Sequence, residues 1–295
     1  MQFKKILILG GPTASGKSSL ALEWACELDG EIINADSMQI YKNFNVLTAC
    51  PSLDEMNLVP HHLYRLLKGD DPCSAERWRD LARDVIDDVW SRGKLPIVVG
   101  GTGLYLKTLV YGLSKIPKID EEIRYNIRKK VTEDGAEASH EILKKIDPEM
   151  ALRLPPGDGQ RISRALEVFL STKKSLSDWQ LQPLTGGLID EDIEIGKYLL
   201  LRDRSELYAR CDQRFNKMME QGAAIEEVRN LMSLGYSQDL PMMKSLGVPQ
   251  IINYLQGNVS LEETITLSKI ATRQFAKRQM TWFRNQFSNW KVKNL

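Results

Sequence analysis

The apolar positions change their spacing several times along the chain, and each change predicts an element. Residues 6–9, four apolar side chains in a row, predict a short strand buried on both faces and ended by Gly10 and Gly11. Leu20, Ala21, Trp24, Ala25 and Leu28 then recur at helical spacing. Residues 31–35 predict a second strand that delivers Asp36 at its C-terminal end, followed by a turn-rich stretch to Pro60. Trp78, Leu81, Ala82, Val85, Ile86 and Val89 form one face of a helix capped by Ser74, and residues 95–99 predict a third buried strand. That strand runs into Gly100-Gly101-Thr102-Gly103 and another helix.

From Lys115 to about Glu194 the strand pattern lapses. Helices are predicted over residues 121–132 and 136–145, with breaks at Asp147-Pro148 and Pro155-Pro156-Gly157. Another helix opens at Gln160, with Ile162, Leu166 and Phe169 on its apolar face. Residues 198–201 resume a strand, and the remainder reads as helical, with loops at Gly235 and Pro241. Ser260 to Glu263 form a capping-box start to a long final helix whose end Trp282 and Phe283 anchor. The expected fold is therefore α/β, a parallel sheet flanked by helices over residues 1–117 and 190–295, with a mostly helical insertion over 118–189.

At 295 residues, 42% hydrophobic and 27% charged, the composition is that of a soluble globular protein expected in the cytoplasm, with no membrane-spanning run and no cleavable signal. The four cysteines show no metal-ligand spacing and read as reduced thiols. Two of the three histidines, His61 and His62, are adjacent and so diverge, which favours structural roles. The net charge of +1 conceals a basic end: from Ser268 onward there are seven Lys or Arg residues and no Asp or Glu. Lys269, Arg273 and Lys277 share a face of the final helix, which permits a nucleic-acid partner or a solvated surface.

The chemistry starts at GGPTASGKS. Gly11, Gly16, Lys17 and Ser18 stand in the G-x-x-x-x-G-K-S register between a strand and a helix, the context of a phosphate-binding P-loop. Converging backbone amides and the helix dipole favour an anion there; Lys17 supplies a point charge, and Ser18 is placed to bind Mg²⁺. The bound species is a polyphosphate, not necessarily ATP. Asp36, at the ligand-binding edge of such a sheet, reads as a Mg²⁺ ligand, a catalytic base or a helix cap. Thr102 reaches that edge on a third loop, the second that is rich in glycine. Arg161 and Arg164 lie side by side off an apolar helix face, suited to surface ion pairs, for instance with Glu167, or to phosphates or bases. Arg210 and Arg214 stand i, i+4 on one helix and can clamp an anion.

Taken together, GGPTASGKS, INADSMQIYKNFNVLTACP, PHHL, CSAERWRDLA, VVGGTGLYLKTLVYGL, QRISRALEVF, RCDQRF and TRQFAKRQMTW resemble the tRNA dimethylallyltransferase family, in the family's order and over nearly the whole chain. The resemblance implies a P-loop core in which Gly11, Pro12, Thr13, Ala14, Ser15, Gly16, Lys17 and Ser18 hold the diphosphate of dimethylallyl diphosphate with Mg²⁺, and Arg214, with or without Arg210, adds a ligand. It implies that Asp36 takes a proton from the exocyclic amine of the adenosine 3′-adjacent to the tRNA anticodon, which Thr102 also hydrogen-bonds. It places Asp36, Ser37, Met38, Gln39, Thr102, Arg124, Gln160, Arg161, Ile162, Ser163 and Arg164 against the anticodon stem-loop. The chain is expected to work as a monomer. Three positions depart from the family pattern: Gly247-Val248-Pro249-Gln250 lacks a basic residue, Cys50 replaces a usual Lys, and Leu63-Tyr64-Arg65 lacks an acidic one. With no zinc-finger extension, the chain looks bacterial. The rival readings are an isopentenyltransferase acting on free adenylate, a P-loop small-molecule kinase, and an RNA-binding protein without catalysis.

Overall fold

A computed structural model describes residues 4–294. In chain order the elements are β1 (Lys5–Gly10), α1 (Lys17–Glu27), β2 (Gly30–Asn34), α2 (Leu53–Leu58), β3 (His61–His62), α3 (Ala75–Ser91), β4 (Leu95–Gly100), α4 (Gly103–Tyr111), α5 (Glu121–Asp134), α6 (Ala136–Ile146), α7 (Pro148–Arg153), α8 (Gly159–Thr172), α9 (Leu176–Gln180), β5 (Glu194–Leu201), α10 (Arg204–Met219), α11 (Ala223–Ser233), α12 (Val248–Leu255), α13 (Leu261–Gln286) and β6 (Lys291–Asn294). They form two compact units, residues 1–110 with 188–295, and residues 111–187.

The first unit is built on a six-stranded sheet in the order β3-β2-β4-β1-β5-β6, every pairing parallel. The inner strands are mostly apolar because helices cover both faces; Ile6, Ile8, Leu9, Ile33, Ile97 and Val98 are wholly or almost wholly buried. All strands point the same way, so the loops after β1, β2 and β4 meet at one edge of the sheet. Their approach is close. The Ala35 amide donates to the Val99 carbonyl at 2.8 Å, and the Thr102 amide to the Ala35 carbonyl at 3.1 Å. A Cβ on Gly100 would stand 2.0 Å from the Ala35 oxygen, so only glycine lets the second and third loops touch. Behind them the Trp78 indole donates to the Asn34 carbonyl at 2.9 Å and stacks on Tyr105 at 4.5 Å.

The second unit has its own core, in which Leu143, Ile162, Ala165 and Val168 are fully buried. It starts at Tyr111, earlier than the expected 118, because a backbone bridge between Leu113 and Thr185 ties its entry to its exit. Other departures from expectation lie at short elements. Helix α2, capped by a Ser52–Glu55 box, occupies part of the stretch read as turns, and β6 closes a chain end read as helical. β5 starts at Glu194 rather than 198, its first residues only partly buried. His61 and His62 form β3; His62 contacts the Glu31 carboxylate at 2.6 Å and His61 the Val59 carbonyl at 2.9 Å, the structural roles expected of them. No helix among the described residues is long and apolar enough to cross a membrane.

Candidate active site

The P-loop bends between β1 and α1 through two left-handed residues, Ala14 (φ 61°) and Gly16 (φ 98°), the latter capping α1. Among the described residues the amides of Ala14, Gly16, Lys17 and Ser18 meet no acceptor, whereas the carbonyls on the other side of the loop are tied down. Arg210 Nε donates to the Ala14 carbonyl at 2.9 Å and Arg202 Nε to that of Ser15 at 2.6 Å, while Arg214 Nη2 donates to Thr13 Oγ1 at 2.6 Å. The loop is thus braced by its carbonyls with its amides left for an anion. Gly11 is held against β5, where a Cβ would stand 2.6 Å from the Leu200 carbonyl. The Pro12 carbonyl accepts from both the Ser15 amide and Lys17 Nζ, the latter at 3.1 Å. Ser15 is fully buried and its hydroxyl has no partner among the described residues.

The loop opens on a cavity of about 340 Å³ lined by Lys17, Ser18, Asp36, Gln39, Tyr64, Arg214 and neighbours, and both Arg210 and Lys217 reach it. Four cations therefore face one carboxylate. Burial pulls the Lys17 pKa down to about 8; Asp36 opposes that shift and Arg214 adds to it. Burial likewise lowers the pKa of Arg214, which nevertheless stays charged.

Of the three readings of Asp36, the helix cap is excluded, because turns and not a helix follow it. Its Oδ1 accepts from the Met38 amide at 3.0 Å in an Asx turn, and its own amide donates to Asn34 Oδ1 at 2.8 Å. Its Oδ2 faces Gly101, 3.5 Å from where a Cβ there would lie. Thr102 Oγ1 accepts from the Ser37 amide at 2.9 Å and stands 3.2 Å from Ser37 Oγ, so Ser37 fixes the hydroxyl. Gln39 turns its amide to the carbonyls of Thr48 and Ala49, at 2.9 and 3.0 Å, and so shapes the cavity wall. The next loop is held from α11: the Glu227 carboxylate accepts from the amides of Asn45, Val46 and Leu47 at 2.6–2.9 Å.

In the helical unit, Arg124, Arg128 and Arg164 surround the Glu167 carboxylate, which is only 1% exposed, at 3.9, 2.9 and 3.7 Å. Arg161 is exposed and pairs with Asp158 at 2.9 Å, the residue that also caps α8. Gln160 is exposed, whereas Ile162 and Ser163 have their side chains buried. The ion-pair reading of Arg164 with Glu167 is thus met, and the two arginines have different partners.

Several positions escaped the sequence reading. Gln279 is nearly buried on α13; its Oε1 accepts from the Thr13 amide and its Nε2 donates to the Gly101 carbonyl, each at 2.8 Å. The signal was there, a polar residue on the stripe Thr272, Ala276, Gln279, Phe283. Tyr64, Gln213 and Lys217 carried none, since they reach the cavity from loops or helices remote in sequence. Arg273, read as part of a basic surface, donates to Asp212 at 2.6 Å and joins α13 to α10. Gly247 adopts a left-handed conformation (φ 89°) as the cap of α12, Val248 behind it is buried, and an exposed Pro249 in the first turn stands at the place of the missing basic residue.

Comparison with known proteins agrees with this arrangement. Residues 39–286 match the family model described as IPP transferase. The tRNA dimethylallyltransferase of Parvibaculum lavamentivorans is 44% identical over 97% of this chain and 90% of its own length, and that of Allorhizobium ampelinum 47% over 96% and 92%. Among solved structures, the full-length tRNA isopentenylpyrophosphate transferase of Bacillus halodurans is 34% identical, covers 99% of this chain and 90% of its own, and superposes with a TM-score of 0.69. A eukaryotic dimethylallyltransferase acting on tRNA is 28% identical, covers 99% and 74%, and gives a TM-score of 0.80. With a P-loop braced from behind, an acid and a hydroxyl at the same sheet edge, and likeness along its whole length, the chain belongs to the IPP transferase family.

Proposed function

We propose that the protein transfers a dimethylallyl group from dimethylallyl diphosphate to the exocyclic N6 amine of the adenosine 3′-adjacent to the tRNA anticodon, position 37, releasing diphosphate, in the cytoplasm. The observation that carries this reading is the single cavity shared by the P-loop amides, Lys17, Arg214 and the Asp36 carboxylate.

The donor's diphosphate lies on the amides of Ala14, Gly16, Lys17 and Ser18. Lys17 and Arg214 neutralise the charge that grows on it as the carbon–oxygen bond breaks. Arg214 is the better candidate ligand than Arg210, because it is the more buried and its charge is felt by Lys17. The donor set fits Mg²⁺: the Ser18 hydroxyl is a hard oxygen ligand beside the P-loop cavity, and the ion would supply further charge neutralisation on the leaving group.

On the acceptor side, Asp36 Oδ2 and the remaining lone pair of Thr102 Oγ1 are two acceptors for the two N–H bonds of an exocyclic amine. With its protons so directed, the amine nitrogen presents its face to the first carbon of the prenyl chain. The nitrogen–carbon bond forms, the electron pair of the carbon–oxygen bond leaves with diphosphate, and Asp36 takes the amine proton. The target base is flipped out of the anticodon loop to reach such a site. Arg124, Arg161 and Arg164, with Gln160, give the helical unit a basic face for the RNA backbone.

Incubated with Mg²⁺, an anticodon stem-loop and either labelled dimethylallyl diphosphate or labelled ATP, the protein should consume only the former, releasing one diphosphate per prenylated adenosine. Phosphoryl transfer from ATP without prenylation would return the P-loop to kinase chemistry.

A further inference from the structure

We infer that Gln279 is a positioning residue that sets the separation between the leaving-group cradle and the acceptor loop. The inference rests on the reaction proposed above. Gln279 is 8% exposed, and both ends of its amide are used: Oε1 on the Thr13 amide and Nε2 on the Gly101 carbonyl, at 2.8 Å each. The orientation of that amide is unambiguous, since Thr13 N–H can only donate and the Gly101 carbonyl only accept. No other side chain among the described residues bonds both loops.

The fit around it is tight. A Cβ on Gly101 would stand 2.5 Å from Gln279 Nε2, so glycine at 101 is needed for this amide to pass. The helix that carries Gln279 is itself fixed: Ala276 and Phe283 are wholly buried, and Arg273 is bonded to Asp212 of α10, the helix that also bears Arg210 and Arg214. A single rigid element therefore touches the loop that holds diphosphate, the loop next to Thr102, and the helix of the bracing arginines.

The reaction joins two separately bound molecules, so its rate depends on how far the prenyl carbon lies from the amine nitrogen. A displacement of about 1 Å can cost about 10²-fold. Each half-site has its own binding groups, and none of them is Gln279. Loss of the link should therefore be felt in kcat and not in binding.

The test compares wild type with Gln279→Met, which keeps the length and apolar packing but makes neither hydrogen bond, and Gln279→Glu, which keeps an acceptor for Thr13 and sets an oxygen against the Gly101 carbonyl. Both should lose about 10- to 100-fold in kcat per active site, with the KM for dimethylallyl diphosphate and the Kd for the stem-loop within about twofold of wild type. A kcat within twofold of wild type in a folded variant, or a loss carried by KM alone, would overturn the positioning role. A residue that merely supports the fold would lower the melting temperature and both affinities together, and that result would overturn it too. If Gln279→Met does not fold, Gln279→Glu alone decides by the same kcat and KM criteria. Wild type that transfers no prenyl group would overturn the proposed reaction instead.

Discussion

Replacing Asp36 by Asn separates its two tasks. In the structure Oδ1 holds an Asx turn by accepting from the Met38 amide at 3.0 Å, and an Asn side chain keeps that oxygen. The turn should survive, and with it the Ser37 amide that fixes Thr102. What changes is the other oxygen, which becomes an NH₂ group that cannot take a proton and that opposes an amine N–H. Loss of a positioned base is worth about 10²–10⁴-fold, or about 3–5 kcal/mol of transition-state stabilisation. A second effect follows from charge. Asp36 is the carboxylate that raises the pKa of Lys17, so removing it should push that pKa below about 8 and weaken donor binding at mildly alkaline pH. The assay is single-turnover transfer of labelled dimethylallyl to a stem-loop, with donor KM followed against pH and stem-loop binding measured separately. Asp36→Asn should bind the stem-loop normally and turn over at least about 100-fold more slowly. Turnover within tenfold of wild type would remove Asp36 from proton transfer.

Three further outcomes are expected. Because the Lys17 pKa is lowered from 10.5 to about 8, the charge proposed to grip diphosphate is lost as pH rises through about 8. Donor affinity should fall above that pH while the ligand-free protein gains stability from this group, since between the two values the unfolded chain binds the extra proton; a donor KM flat from pH 7 to about 9.5 would contradict this. Arg161→Ala with Arg164→Ala should weaken tRNA binding and reduce the slope of its salt dependence by up to about two, checked by titration over a range of KCl; an unchanged slope would exclude phosphate contacts there. Glu227→Ala leaves three loop amides without their acceptor, a cost of about 1–3 kcal/mol, so hydrogen exchange at residues 45–47 should speed up by about tenfold or more and KM should rise more than kcat falls. Unaltered exchange there would show that the loop does not depend on Glu227.

The fold was legible where one local rule governed. The strand, glycine turn and helix of residues 6–18 read directly, because a P-loop needs glycine conformations and a lysine at fixed spacing, and Gly16 does adopt φ 98°. Asp36 and Thr102 were legible as ends of buried strands. What could not be read depended on contacts distant in sequence. Gln279 and Thr13 are 266 residues apart, Glu227 and Asn45 182; a polar residue on an apolar stripe marks Gln279, but nothing local names the partner in either pair. β6 was missed for a related reason: Lys291 to Asn294 carry alternating charge and gain their strand conformation from the edge of β5. Arg273 shows the converse, a basic residue whose helix face suggested solvent until Asp212 was found opposite it. Glu167 likewise read as one surface ion-pair partner, whereas burial makes it the centre of three arginines.

The central claim, transfer to an adenosine held in RNA rather than to a free nucleotide, is tested most directly by competition. The protein, Mg²⁺ and labelled dimethylallyl diphosphate are supplied with both an unmodified anticodon stem-loop and AMP, and the label is located by mass spectrometry. The account predicts label on the N6 amine of the adenosine 3′-adjacent to the anticodon and none on AMP. Label on AMP alone would assign the site to free nucleotides, and label on neither would leave Asp36 and the P-loop without the reaction described.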